Sequence, residues 1–287
     1  TSLTDNATVI LSVDGDTDLT VLGTGTSMAA TTAVTNGTGT LTTVAATIMV
    51  YAPEPAGSSS GSALTTQPIV RALDAAGNLD TDFIETVTLS STGSGTLSGD
   101  IDIAAVGGVA TFSGVIYSAA VDRESIVISA DDEAVGIDLA AITSSAISSE
   151  VTATRLVFQV QPNPRFAYSG SSITFASAIT VAAVDAIGAV DADFTGSVVL
   201  SEVGGAGATE IIFAADTDGD ITTATMSAVA GVASFSGLSS AYSSGTEGDE
   251  VYFIAANSAA FAEVRSESLS SSPAPPPVDP TIRDKVT

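Results

Sequence analysis

The chain has 287 residues, 45% of them apolar and only 14% charged, with 33 acidic against 7 basic side chains and a net charge of −26. It holds no Cys, His or Trp, which excludes a Ser-His-Asp triad, an imidazole base near neutral pH, and zinc, iron–sulfur or covalently attached haem centres built on those ligands. A chain this acidic repels phosphate backbones and anionic lipid surfaces, so neither a nucleic-acid partner nor direct membrane insertion is expected. The positive mean hydropathy of +0.42 comes from Ala and Val scattered among Ser and Thr, and no apolar run approaches the roughly 18 residues of a membrane span. Thr1 opens the chain without a signal peptide, so a processed or excerpted sequence is expected.

The N-terminal stretch begins with a β-branched run, Thr8-Val9-Ile10-Leu11-Ser12, and then Asp14-Gly15-Asp16-Thr17-Asp18. Calcium takes about 6–8 oxygen ligands, and Asp14, Asp16 and Asp18 at alternate positions could supply several of them. The rest of an EF-hand is missing, because the Gly is misplaced and no Glu closes the pattern. A solvated acidic hairpin loop explains the same residues. Asn6-Ala7-Thr8 and Asn36-Gly37-Thr38 fit the N-glycosylation acceptor pattern at Asn6 and Asn36, a pattern that a Thr-rich chain also produces by chance.

From residue 47 the chain reads as short strands between Gly-, Ser- and Asp-rich turns. Thr47-Ile48-Met49-Val50-Tyr51 is followed by Pro53-Glu54-Pro55, then by the strand Ile69-Val70-Arg71-Ala72-Leu73. The segment Asp74-Ala75-Ala76-Gly77-Asn78-Leu79-Asp80-Thr81-Asp82-Phe83 recurs 111 residues on as Asp185-Ala186-Ile187-Gly188-Ala189-Val190-Asp191-Ala192-Asp193-Phe194. Thr86-Val87-Thr88-Leu89-Ser90 recurs at the same offset as Ser197-Val198-Val199-Leu200-Ser201, while Ala105–Gly114 matches Ala228–Gly237 at an offset of 123. Two homologous units follow, the second about a dozen residues longer between those landmarks. In each Asp-x-x-Gly turn, Asp caps backbone N–H groups and Gly supplies a positive φ. Ala189 stands where the first copy has Asn78, so that side chain is dispensable to the turn.

Leu156-Val157-Phe158-Gln159-Val160, the run Ile173 to Val181, and Val251-Tyr252-Phe253-Ile254 read as further strands. No segment keeps an apolar helical period with caps. Turns at intervals of roughly 8–12 residues argue for an antiparallel sandwich. Phe83, Phe112, Phe194 and Phe235 repeat in register and are expected in the core. Asp216-Thr217-Asp218-Gly219-Asp220 repeats the alternating pattern, so Asp216, Asp218 and Asp220 form a second calcium candidate or a second solvated loop. Asp131-Asp132-Glu133 is a lesser acidic run. Carboxylate pairs could serve a glycosidase, but a chain without Trp and with 5% aromatics lacks the usual sugar platforms. No enzyme is expected, and no cofactor beyond calcium.

Thr154-Arg155-Leu156-Val157-Phe158 with Gln161-Pro162, the Asp-x-x-Gly turns, the Val-x-Leu-Ser strands and Gly-Val-Ala-Thr/Ser-Phe-Ser-Gly together resemble tandem immunoglobulin-like repeats of bacterial cell-surface and extracellular filament proteins, the Big/invasin-like kind. The resemblance covers about residues 47–270 and implies an all-β chain of tandem immunoglobulin-like antiparallel β-sandwiches. The Thr47–Tyr51 opening departs from the pattern. A weaker copy precedes it: Thr8–Ser12 resembles Thr86–Ser90, and Ala33–Leu41 resembles Ala105–Phe112. Projecting the Asp74 turn back by one repeat falls before Thr1, so the N-terminal domain is expected to be incomplete, lacking its first strands. The organisation expected is residues 1–46 as that incomplete domain, 47–152 and 153–270 as full domains, and 271–287 as a Pro-rich linker and tail. Some pilins of similar build cross-link Lys to Asn, which is impossible inside either full domain because Lys285 is the one lysine.

The chain closes with a proline-rich spacer, Ser270 to Pro280, and the strand-like Thr281-Ile282-Arg283-Asp284-Lys285-Val286-Thr287. A domain short of strands at one end and a spare segment at the other suggest β-augmentation, with Thr281, Ile282 and Val286 as subunit contacts. A heterologous contact of this type builds an open filament when its rotation does not close. The expectation is an extracellular or cell-surface homopolymer. The alternative is a stalk or spacer fragment of a long multidomain surface adhesin. Neither reading specifies a cell-surface or glycan target.

Overall fold

The computed structural model describes residues 9–13, 19–24, 44–132, 138–205, 212–214, 222–242 and 249–273. The chain divides into two compact units, Thr1–Glu150 and Val151–Thr287. Every regular element among the described residues is a β-strand, and no helix is long and apolar enough to cross a membrane.

In the first unit, Ile69–Leu73 turns Val70 and Ala72 inward and Arg71 outward, as the two-residue period of a half-buried strand requires. It lies between Ile48–Tyr51 and Val109–Thr111, antiparallel to both. The second sheet centres on Thr86–Ser91, flanked by Asp102–Ala104 and Ile128–Asp132, with Ile142–Thr143 outside the latter. Val87, Leu89, Ile128 and Ala130 carry its buried face. The leading strand crosses between sheets. After Tyr51 it is interrupted by Pro53-Glu54-Pro55, whose prolines have no N–H to give a ladder. It resumes at Ser58–Ser59, parallel to Ile147–Glu150.

The second unit repeats this plan. Arg155–Val160 pairs with Ile179–Val184, which pairs with Val232–Phe235. Phe166–Tyr168 then runs parallel to Leu269–Ser272 at the edge of a six-stranded sheet that continues through Glu250–Asn257 and Ser197–Val203 to Thr223–Ser227. Leu156, Ile179, Val181, Val198, Leu200, Tyr252 and Ile254 are at most 2% exposed and form the centre of its core, each worth about 1.5–3 kcal/mol of transfer free energy for the aliphatic members. Each unit is thus an immunoglobulin-like sandwich, and the chain is all-β.

Two sequence expectations change. The Thr47–Tyr51 opening pairs as its counterpart does, with Ile48 opposite Leu73 and Arg155 opposite Val184. The second unit simply carries two more residues between Arg155 and Ala167 than the first carries between Ile48 and the matching Ser58. The run Ile173 to Val181 is two strands, Ser172–Thr174 and Ile179–Val184, in separate sheets. The break follows Phe175, whose ring is buried while its N–H bonds Leu238 O. In the N-terminal stretch, Val9–Val13 and Leu19–Thr24 form an antiparallel pair with a bulge between Val9 and Leu11. The expected match at Ala33–Leu41 lies outside the described residues.

Candidate functional site

All of the singled-out site residues lie outside the described residues: Asp14, Asp16, Asp18, Asp216, Asp218, Asp220, Asn6, Asn36, Thr281, Ile282 and Val286. The lesser acidic run does reach them in part. Asp131 is exposed and Asp132 buried, because consecutive strand residues point to opposite faces. They therefore do not form a joint ligand pair. Asp132 accepts a hydrogen bond from Leu139 N–H at 3.1 Å, and burial pushes its carboxyl above the usual range.

The repeated Asp-x-x-Gly segment is where the structure concentrates its polar geometry. Asp74 Oδ1 accepts from the N–H groups of Ala76 and Asn78 at 2.9 and 2.8 Å, and Oδ2 accepts from the Asn78 side chain at 2.9 Å. These bonds, the Asn78 side chain first, hold the Asp74 carboxyl below its ordinary range. Asp185 holds its copy of the turn through three backbone donors, taking Ile187, Gly188 and Ala189 N–H on one oxygen at 2.9–3.0 Å. The loss of the Asn in the second copy is therefore tolerated. Gly77 and Gly188 supply φ of 86° and 101°.

A few residues further on, each repeat buries an aspartate whose role the sequence reading missed. Asp80 Oδ2 accepts the Ala46 N–H at 2.7 Å and Oδ1 the Asp82 N–H at 3.0 Å. Asp191 Oδ2 accepts the Ala153 N–H at 2.8 Å and Oδ1 the Phe194 N–H at 3.0 Å. Both residues also extend the ladder through their own N–H groups, to Ala72 O and Ala183 O. Each carboxylate thus clamps the backbone just before the leading strand of its sandwich, Ile48–Tyr51 or Arg155–Val160. The packing leaves no slack: a Cβ at Gly108 or Gly231 would lie 2.2 Å from the carbonyl oxygen of Asp80 or Asp191. The signal was present in the recurrence of Asp80 as Asp191. What was missing was the partner, 34 or 38 residues away in sequence.

Of the four repeated phenylalanines, Phe83, Phe112 and Phe235 are buried. Phe194 is half-buried against Phe261, ring centroids 5.2 Å apart. The clamp carboxylates are engaged by backbone donors, an arrangement that positions the chain.

No protein-family model matches the chain, and no curated protein matches it. Among solved structures, a glycosyl hydrolase family 2 member from Bacteroides cellulosilyticus aligns over 73% of this chain at 12% identity and a TM-score of 0.27. The chain spans only 24% of that protein's length. The fibronectin(III)-like modules of CbhA from Clostridium thermocellum align over 79% of this chain and 94% of theirs, at 14% identity and a TM-score of 0.20. Tandem Ig repeats of Dlar align over 79% and 97%, at 12% identity and 0.21. At such identities and TM-scores none of these likenesses bears on what the chain does.

Proposed function

We propose that the chain is a structural subunit of an extracellular filament or surface appendage, built from immunoglobulin-like repeats of the bacterial surface kind and joined head to tail by β-strand complementation. The observation that supports it is the repeated clamp. Asp80 and Asp191 hold the backbone leading into their sandwiches by the same carboxylate oxygen at nearly the same distance. A lead-in fixed in the same way within each unit suits mechanical work, in which units are strung along one chain. The acceptor for complementation is the hairpin Val9–Val13 and Leu19–Thr24, which pairs with no third strand among the described residues. Its donor is the C-terminal segment bearing Thr281, Ile282 and Val286, contributed by a second copy. A second reading, a stalk or spacer within a long surface adhesin, draws on the same clamp, since it would serve at every junction of a longer array.

The test is electron microscopy of the native protein beside a variant ending at Pro273. Long uniform filaments that disappear on truncation support the subunit reading. Beaded monomeric rods in both samples overturn it in favour of the stalk. Repeating the imaging with chelator tests whether Asp14, Asp16, Asp18, Asp216, Asp218 and Asp220 hold calcium.

A further inference from the structure

Four buried side-chain hydroxyls have no hydrogen-bond partner among the described residues: Thr88 in the first unit, and Ser240, Tyr252 and Ser271 in the second. Two of the three in the second unit share the inward face of one strand pair with a buried carboxylate, Ser271 opposite Glu250 and Tyr252 two residues along from it. Glu250 and Ser271 are direct cross-strand partners, 5% and 0% exposed, so their side chains stand side by side on the inward face. Tyr242 donates its hydroxyl to Glu250 Oε2 at 2.7 Å. The Tyr252 ring stacks on Tyr242 at 4.0 Å with the planes 5° apart. Ser240 lies two residues before Tyr242 in the same buried row. Glu202 approaches from the neighbouring strand, in the same alternation that turns Val198 and Leu200 inward. A methyl at Gly205 would collide with the Tyr242 hydroxyl while lying 3.1 Å from Glu202 Oε1. Burial first and the Glu202 charge second push Tyr252 up to about 12.

The first unit shows the same end of the sandwich when it satisfies itself. Glu124 stands opposite Ser149 as Glu250 stands opposite Ser271. There Ser149 Oγ is bonded to Ser58 Oγ at 2.9 Å. Glu124 takes the Tyr117 hydroxyl and the Ser94 N–H, both at 2.6 Å. Two replacements undo this in the second unit. Ala167 occupies the place of Ser58, opposite Ser271, which removes that serine's partner. Tyr252 stands where the first unit has Ile126, one step along from the glutamate, which adds a hydroxyl. Buried polar groups are ordinarily paired, and both changes leave oxygens unmet beside a buried carboxylate.

We propose that this interior end of the second unit binds a calcium ion through the carboxylates of Glu250 and Glu202 and the hydroxyls of Ser271 and Tyr252. The donor set is all oxygen, as hard divalent cations require, and two carboxylates balance the charge of the ion. Tyr242 orients Glu250 by its hydrogen bond, the role of an outer-shell partner. The donor set uses none of the Asp14–Asp18 or Asp216–Asp220 carboxylates, and the proposal does not depend on the filament reading.

The probe is terbium, excited through tyrosine, in the full-length protein; the chain has five Tyr and no Trp to confuse the donor. A background variant with Asp14, Asp16, Asp18, Asp216, Asp218 and Asp220 all changed to Asn removes the loop carboxylates. In that background, tyrosine-sensitised emission that calcium displaces is expected, with affinity falling at least about tenfold in Glu250→Gln and Ser271→Ala. Tyr252→Phe and Ser271→Ala delete groups that bond no described residue, so they retain the fold, as circular dichroism would verify. The rise in Tm that calcium gives the parent should shrink in both. Absence of calcium-displaceable emission in the background variant overturns the proposal. So does emission of unchanged affinity in Glu250→Gln and Ser271→Ala.

Discussion

Replacing Asp191 with Ala removes the clamp on the lead-in of the second unit, and its cost can be worked from the structure. Two backbone N–H groups, from Ala153 and Phe194, donate to the carboxylate at 2.8 and 3.0 Å. Hydrogen bonds to a charged group contribute about 1.5–3 kcal/mol each. Both donors belong to half-buried residues and regain some water in the variant, which places the loss at the lower end, about 3 kcal/mol. For a unit of this size that corresponds to roughly 10 °C in Tm. Calorimetry should show the second unit's transition shifted down while the first unit's stays in place, and Asp80→Ala should do the reverse. Hydrogen exchange gives a local check, because the Ala153 amide loses its carboxylate acceptor and should exchange about a hundredfold faster, the factor matching ~3 kcal/mol. A shift under about 2 °C, or unchanged Ala153 protection, would refute the reasoning that this carboxylate secures the lead-in of the second unit.

Gly231→Ala combines a φ of 78° with a Cβ 2.2 Å from Asp191 O, so it should cost more than the roughly 1 kcal/mol of Gly77→Ala. Gly77 has a similar φ but open space around it; urea unfolding of the two variants side by side decides this. Asp132 is buried with its folded pKa raised by desolvation, so ionising it costs stability above that pKa and the penalty vanishes below the ordinary Asp value. Asp132→Asn, which keeps an acceptor for Leu139 N–H, should therefore stabilise the chain near neutral pH, with the gain closing towards about pH 3. Tyr117→Phe takes a donor from Glu124 and an acceptor from Gly95 N–H, and should cost about 1–2 kcal/mol. The Glu124 carboxyl is held low by the Ser94 and Tyr117 bonds. Its NMR titration should move upward in that variant, and the stability it lends above the ordinary Glu pKa should fade at higher pH on acidification.

Much of the fold was legible because it is written in local pattern. The strands Ile69–Leu73, Thr86–Ser91 and Arg155–Val160 follow from alternation and β-branched content. The Asp74 and Asp185 turns follow from an Asp that caps its own next residues. Where the reading failed, the deciding contact was distant. The run Ile173 to Val181 looked continuous because every residue in it suits a strand, yet its halves find partners in different sheets. The tyrosine–glutamate pairs were invisible for a related reason. Tyr117 sits within the strand Ile116–Ser118, whereas Tyr242 follows the equivalent strand Ser239–Ala241. The two tyrosines reach matching glutamates from non-matching positions, so no repeat alignment pairs them.

By itself, the sequence determined the class of the molecule: all-β, duplicated, acidic, and without Cys, His or Trp. Those properties depend on composition and on spacings of a few residues, which a single chain displays directly. Only the tertiary structure decided what each repeated residue does. It made Asp80 and Asp191 clamps rather than turn residues, and it turned Asp132 inward while Asp131 faces solvent. It also brought Glu250, Ser271, Tyr242 and Tyr252 to one buried end. The physical reason is that a side chain's chemistry depends on its burial and partners, and in a sandwich those partners arrive from strands far apart in sequence.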